Sequence, residues 1–358
     1  MPRGALAGIK VLEVGGIGPT PFACNLLADL GASVIRVQRP GATETRADQD
    51  EPPTIRLDLK TSDGALKLLT LVEHADVLIE GFRPGVAERL GIGPDVCSAK
   101  NTALIYARMT GWGQYGPLAR RAGHDINYIG LTGALHAIGE TGRRPVQPLN
   151  LLGDYGGGAL YCVVGVISAL YERTASGLGQ TIDVAMVDGV SNLMSVTWDM
   201  YSRGTWSDAR GANLLDGGAP FYDVYRCADD RYMAVGAIEP QFYAKLSEIL
   251  GVELPPQDDT SRWDEMRSVL TDAFARQPRE AWTERFKDVD ACVSPVLSLS
   301  EAPFNAHLQA RDALVLREGN LVQSGLAPRF SRTQGSRRPE HADLLAAWGI
   351  DLSEMLAS

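Results

Sequence analysis

Two short motifs carry residues with proton chemistry. Gly123-His124-Asp125-Ile126-Asn127-Tyr128 and Gly153-Asp154-Tyr155-Gly156-Gly157-Gly158 each set one proton carrier in a glycine-flanked turn. The carriers are His124 and Asp154. A His and an Asp facing one carbon from opposite sides can take a proton from one face and return it on the other. That chemistry needs neither a metal nor a redox cofactor. Taken alone, a His is more often structural, and an Asp before a helix reads as an N-cap. Three glycines behind Asp154 change that weighing. Each costs a helix about 1 kcal/mol relative to Ala, a cost that makes sense where a ligand must approach the backbone closely. A helix N-terminus there also offers free N–H groups to an anion or a developing enolate. Glu239 is the third candidate, following the apolar run 232–238 and preceding Pro240. By default it caps a helix starting near Gln241; as a working group it would orient His124.

The elements that must position these residues alternate. Residues 9–14 predict a strand, the segment Gly15 to Pro21 a turn, 21–30 a helix closed by Gly31, and 33–37 a second strand. This is a βαβ unit, so the sheet should be parallel. Helices are expected over 62–73, 84–90, 154–173 and 186–203, and strands over 75–80, 104–109 and 180–184. The glycine-rich stretch 204–218 reads as a linker. A second compact region follows, with strands over 221–226 and 232–236 around Asp229-Asp230, and helices over 241–250, 263–276 and 281–286.

Composition limits the function. The chain has 358 residues, 45% hydrophobic and 22% charged, with a net charge of -10. That suits two globular domains and speaks against nucleic acid, whose phosphates need a basic surface. The five cysteines, Cys24, Cys97, Cys162, Cys227 and Cys292, form no CxxC pair. The expectation is a reducing, cytoplasmic setting with no disulfide framework and no metal site. The apolar run 159–170 is shorter than the roughly 20 residues a bilayer span takes, so no membrane partner is expected.

The turn after the first strand nearly fits a dinucleotide fingerprint, with Gly16 and Gly18 but Pro21 in place of the third glycine. At the end of the second strand, where an NAD site wants an acidic residue, stand Gln38 and Arg39. An Arg there fits a phosphate, whether of NADP or of coenzyme A. Arg56, Lys60, Arg83 and Arg89 fall at or near other strand ends. Ligands of open parallel sheets bind at that edge, so their convergence would make an anion site.

The segments Gly16-Ile17-Gly18-Pro19, Ala28-Asp29-Leu30-Gly31-Ala32, Leu57-Asp58-Leu59-Lys60, Glu80-Gly81-Phe82-Arg83-Pro84-Gly85, Gly111-Trp112-Gly113-Gln114 and 235–243 resemble those of the α-methylacyl-CoA racemases, within the family III CoA-transferases. Nearly the whole chain takes part. One departure is Gln38, where relatives usually have an acidic residue. The resemblance implies an α/β fold: a large domain with a parallel Rossmann-like sheet, a smaller α+β domain, and two chains interlocked like rings as an obligate homodimer. It implies that 1–190, completed by 325–358, form the large domain and 221–310 the small one, joined by linkers 191–220 and 311–324. Active sites would lie between the large domain of one chain and the small domain of the other. His124 and Asp154 match the family's acid/base pair, and Glu239 its supporting carboxylate. Ile17, Arg39, Leu57, Asp58, Leu59, Lys60, Gly81, Phe82, Arg83, Arg89, Gly123, Asp125, Ile126, Asn127, Tyr128, Asn150, Gly153, Tyr155, Gly156, Gly157 and Gly158 would surround the CoA ester. The reaction implied is epimerisation of (R)- and (S)-2-methylacyl-CoA thioesters, as in branched-chain lipid metabolism, with no cofactor beyond the CoA of the substrate. A CoA-transferase using Asp154 as nucleophile, an NADP-dependent dehydrogenase and a non-catalytic CoA-ester binder are the other readings. The acyl preference is not readable; Met186, Val190, Met194 and Met200 fall at helical spacing, as core or as an adaptable acyl surface.

Overall fold

The structure is a computed structural model and describes residues 4–42, 52–317, 322–336 and 348–350. Much of the expected C-terminal completion, 337–347 and 351–358, lies outside the described residues.

The chain gathers into two compact units. The first comprises 1–134, 148–195 and 326–358; the second comprises 135–147 and 196–325. Segment 135–147 thus groups with the second unit rather than with its sequence neighbours.

The first unit opens with β1 (Lys10–Val14), α1 (Pro19–Asp29), β2 (Ser33–Gln38), β3 (Thr54–Arg56), α2 (Ser62–His74), β4 (Val77–Glu80), α3 (Val86–Arg89), α4 (Pro94–Lys100), β5 (Ile105–Thr110) and α5 (Asp125–Leu131). The short α6 (Ala134–Ala137) leads to the boundary between units. After it come a π-helix (Leu151–Leu160), α7 (Tyr161–Ser176), β6 (Thr181–Ala185) and α8 (Met186–Leu193). The six strands pair in parallel in the order β3-β2-β1-β4-β5-β6. That order reverses direction between β1 and β4, where doubly wound sheets open a crevice for ligands at their carboxyl edge. Near-continuous apolar strands explain the parallel form, since both faces are covered. Val11, Val34, Val77, Ile79 and Ile105 pack with α1 and α7 on one face; Leu12, Ile35, Leu78 and Tyr106 pack with α2 on the other.

Two charged pairs lie within this sheet on neighbouring strands in register. Glu13 opposes Arg36 and Glu80 opposes Arg108, each pair at 2.9 Å. All four side chains are buried, and such charges persist only when paired.

The helix expected to begin at Asp154 begins instead at Leu151 as a π-helix, and α7 continues it to Ser176. Together they are long and apolar enough to cross a membrane by length and composition. Cys162, Val163, Val166, Ala169 and Leu170 nevertheless face the sheet as core. The π-helix also meets α8 at near backbone contact. A Cβ on Gly189 would lie 2.0 Å from the carbonyl oxygen of Gly157. Replacing Gly189 with Ala should therefore destabilise the chain by about 3 kcal/mol or more, as overpacking against immovable backbone does. A urea midpoint equal to that of the parent would refute the tight crossing.

The second unit contains α9 (Ser195–Ser202) and an antiparallel sheet of β7 (Tyr222–Arg226), β8 (Tyr232–Gly236) and β9 (Val293–Pro295) in that order. Helices α10 (Pro240–Leu250), α11 (Trp263–Phe274) and α12 (Arg279–Phe286) cover it around Tyr225, Phe274, Trp282 and Phe286. After α13 (Ala306–Ala310), β10 (Leu314–Leu316) and β11 (Val322–Ser324) pair antiparallel, where a plain linker was expected.

Candidate active site

The loops that follow β1, β4 and β5 meet at the carboxyl edge of the first unit's sheet. The β1 and β4 loops touch: a Cβ on Gly81 would lie 2.9 Å from the Gly16 Cα and 2.8 Å from the Thr20 hydroxyl. Phe82 covers Gly15 in the same way. Glu80 holds this loop from below. Its Oε1 accepts from Arg108 Nε and its Oε2 from the Phe82 backbone N–H at 2.6 Å. Burial pushes the Glu80 carboxyl above the usual range, against the pull of the Phe82 N–H and Arg108. Arg108 reaches on to Glu88 of α3 at 2.8 Å. One chain of charges thus orders the segment that carries Arg83 and Arg89.

His124 stands at the N-cap of α5, exposed, with its backbone N–H donating to Asn127 Oδ1 at 3.0 Å. Behind it, the Tyr128 hydroxyl donates to the Gly123 carbonyl, and the Tyr128 ring meets Trp112 edge-on at 4.8 Å. A Cβ on Gly111 would lie 2.0 Å from that ring, so glycine is required there for the aromatic pair to seat α5. Burial raises the Tyr128 hydroxyl pKa; Asp154 and Asp125 add to the rise, and Arg83 opposes it. Those influences bring the β4 loop, α5 and the π-helix to one locus.

Asp154 is not an N-cap. It lies in the first turn of the π-helix, whose N-cap is Asn150. The N–H of Tyr155 donates to the Asn150 carbonyl at 3.4 Å, an i to i−5 bond, and such turns gather at functional sites. Leu149, just before, holds φ 57, a strained conformation for a branched residue. Asn150 Nδ2 donates to Asp154 Oδ2 at 3.3 Å. A Cβ on Gly18 would lie 3.5 Å from the same oxygen, so the β1 turn faces the carboxyl. Burial raises the Asp154 pKa most; Asn150 lowers it, Asp125 raises it and His124 lowers it. His124 and Asp154 are therefore within electrostatic reach of each other.

The link between the two motifs is Asp125, and its role was not legible in the sequence. Its carboxylate turns inward, and Oδ2 accepts the backbone N–H groups of Gly153 and Asp154, both at 2.7 Å. An Asp in a helix's first turn reads as a dipole partner; nothing local announces acceptance of N–H groups 28 and 29 residues away.

The remaining expected residues divide by unit. Arg39, Lys60, Arg83 and Arg89 are exposed at or just beyond the ends of β2, β3, β4 and α3, and among the described residues none is in an ion pair. Cations placed so suit an anionic ligand. Ile17 is exposed in the β1 turn, and Ile126 and Asn127 are exposed on α5, while Leu57 is buried and Asp58 Oδ1 accepts the Lys60 N–H. Tyr155 stacks on Phe22 with centroids 4.4 Å apart. Gly153, Gly157 and Gly158 are buried and Gly156 partly so. Glu239 belongs to the second unit, exposed at the N-cap of α10 with no side-chain cap. Its carbonyl, rather than its carboxylate, accepts the N–H groups of Phe242 and Tyr243, which leaves the carboxylate for other work. Of the methionine set, Met186 and Val190 are core.

Comparison with known proteins bears on this arrangement. Residues 6–342 match CoA-transferase family III. The α-methylacyl-CoA racemase of Mus musculus is 44% identical over 98% of this chain and 95% of its own length. That of Homo sapiens is 45% identical over 92% and 87%. A solved CAIB/BAIF family protein from Brucella suis superposes with a TM-score of 0.80 at 25% identity, covering 97% of this chain and 100% of that one.

Proposed function

The chain belongs to CoA-transferase family III, and on that premise we infer that it is an α-methylacyl-CoA racemase, an enzyme that interconverts the (R)- and (S)-forms of 2-methylacyl-CoA thioesters. The observation that supports this reading is a His and an Asp at one locus, with the Asp154 carboxyl held above the ordinary range chiefly by burial. A carboxyl raised in this way is better suited to carry a proton than an ordinary surface carboxylate.

The proposed mechanism is a two-base 1,1-proton transfer. The thioester carbonyl acidifies the C2 hydrogen. Neutral His124 takes that proton, the C–H electron pair passes into the carbonyl, and an enolate forms. Protonated Asp154 then gives its proton to the opposite face of C2 and is left as carboxylate. In the other direction Asp154 is the base and His124 the acid, so one proton serves the pair. The Asp125 backbone N–H is the proposed donor to the enolate oxygen. As the first helical residue it has no intrahelical acceptor, which leaves it available to a developing oxyanion. Arg39, Lys60, Arg83 and Arg89 would hold the CoA phosphates. Coenzyme A enters as part of the substrate, and the reaction as read calls for no further cofactor.

The site is read as complete only in an interlocked homodimer, with Glu239 of a second copy supporting His124. The apolar face of α7 supports this: Val164 and Tyr171 are 61% and 80% exposed, a patch that wants a partner. A cytoplasmic setting belongs to the same proposal, supported by four buried free thiols.

The test is proton exchange. Incubated with (R)-2-methyldecanoyl-CoA in deuterated water without an acceptor acid, the protein should introduce deuterium at C2 as optical purity falls. No exchange, with CoA passing to an added free acid instead, would replace this reading with transferase chemistry through an Asp154 anhydride.

A further inference from the structure

We propose that Asp125 is a positioning residue: its buried carboxylate ties α5 to the π-helix, fixes the place of the Asp154 carboxyl and sets a like charge beside it. The inference rests on reading Asp154 as the site's acid. Asp125 is 6% exposed. One of its oxygens takes two backbone N–H groups; the other, Oδ1, is buried with no partner among the described residues. Leaving a carboxylate oxygen unpaired in the interior is costly. A neutral Asn would accept the same two N–H groups, so clamping alone does not call for a charge. The contact is also tight, since a Cβ on Gly153 would lie 2.6 Å from Asp125 Oδ2. The clamp therefore admits little slack, and the next residue along is Asp154.

Charge gives the second half of the role. The elements packed on the π-helix carry Asp125 and Tyr128 on α5 with His124 at its N-cap, Asp188 on α8, Asp183 on β6, Tyr106 and Arg108 on β5, Cys24 and Asp29 on α1, and Tyr161, Cys162, Tyr171, Glu172 and Arg173 on α7. Of these, Asp125 and His124 act on Asp154, in opposite senses. The Asp125 carboxylate favours the protonated form, as a like charge must. Removing that charge should lower the proton affinity of Asp154, so the midpoint moves to lower pH.

The test uses D125N and D125A in the full-length protein. Asp154 is titrated by carbon NMR of labelled aspartate carboxyls, its resonance identified by its loss in D154N. D125N should show a lower Asp154 midpoint than the parent, and the acid limb of its kcat/KM profile should move to lower pH with it. D125A should lose about tenfold or more in kcat through misplacement, and D125N should recover part of that loss because Asn still accepts both N–H groups. An unchanged Asp154 midpoint in D125N would overturn the proposal and leave Asp125 a structural clamp only. If D125A does not fold, D125N alone decides. If the parent exchanges no substrate proton, the racemase reading fails, while the titration still reports on Asp125.

Discussion

Replacing His124 with Ala is expected to abolish racemisation, by about 10²- to 10⁴-fold or more, the usual contribution of a positioned acid or base. The loss should be one-sided in isotope exchange. Asp154 remains to remove and return the proton of one enantiomer on one face, so that enantiomer keeps a slow exchange with retention of configuration. The other enantiomer should become inert. Binding of a non-isomerisable acyl-CoA, followed by calorimetry, should hold, because His124 is exposed and the seat of α5 is made by Tyr128 and Trp112. Racemisation within a few-fold of the parent would remove His124 from the mechanism. The same variant separates the two chemistries of the family, since an aspartyl nucleophile would go on transferring CoA without it.

Asp154→Asn should cost as much and show the mirror image: exchange survives in the enantiomer that His124 serves and vanishes in the other. If both variants spared the same enantiomer, the carriers would not flank C2. Stability should run the opposite way. A carboxyl whose native pKa is raised binds its proton more tightly folded than unfolded, so its contribution is full below the unfolded value and is lost as pH rises through the native one. At neutral pH the Asn variant sheds that penalty while keeping a polar group beside Asn150, and it should be at least as stable as the parent. Active-site groups often stand in this relation to stability. A clearly lower urea midpoint would mean that the Asp154 carboxylate serves the fold instead.

Much of this was legible in the sequence because it is written locally. The βαβ start, the glycine turn after β1 and the motifs around His124 and Asp154 need only a window of about ten residues. What was not legible depends on pairs distant in sequence. Nothing local marks Glu80 and Arg108 as partners until the parallel register sets them side by side. Asp125, expected only among the residues around the CoA ester, gives no local sign of the distant N–H groups it holds. The π-helix had no signal of its own: its apolar and glycine pattern suits an α-helix equally well, and Asp154 then reads as the cap. The hairpin of β10 and β11 was missed because strands of three residues leave too short an alternation to detect.

Along 151–160 the backbone closes each ring one residue later than an α-helix does, and it relaxes to α geometry at Tyr161. The heading of Asp154 relative to α7 is therefore a matter of chain length. Losing any single residue between them would let the stretch wind as ordinary α-helix, turning the carboxyl by about 100° with scarcely a change in composition. A descendant that lost Tyr155, Ala159 or Leu160 would keep its His, its Asp and its glycines, pass as intact when residues are compared by type, and have no acid on the second face of the carbon. In this part of the chain, inheritance of the activity depends on the count of residues as much as on their identity.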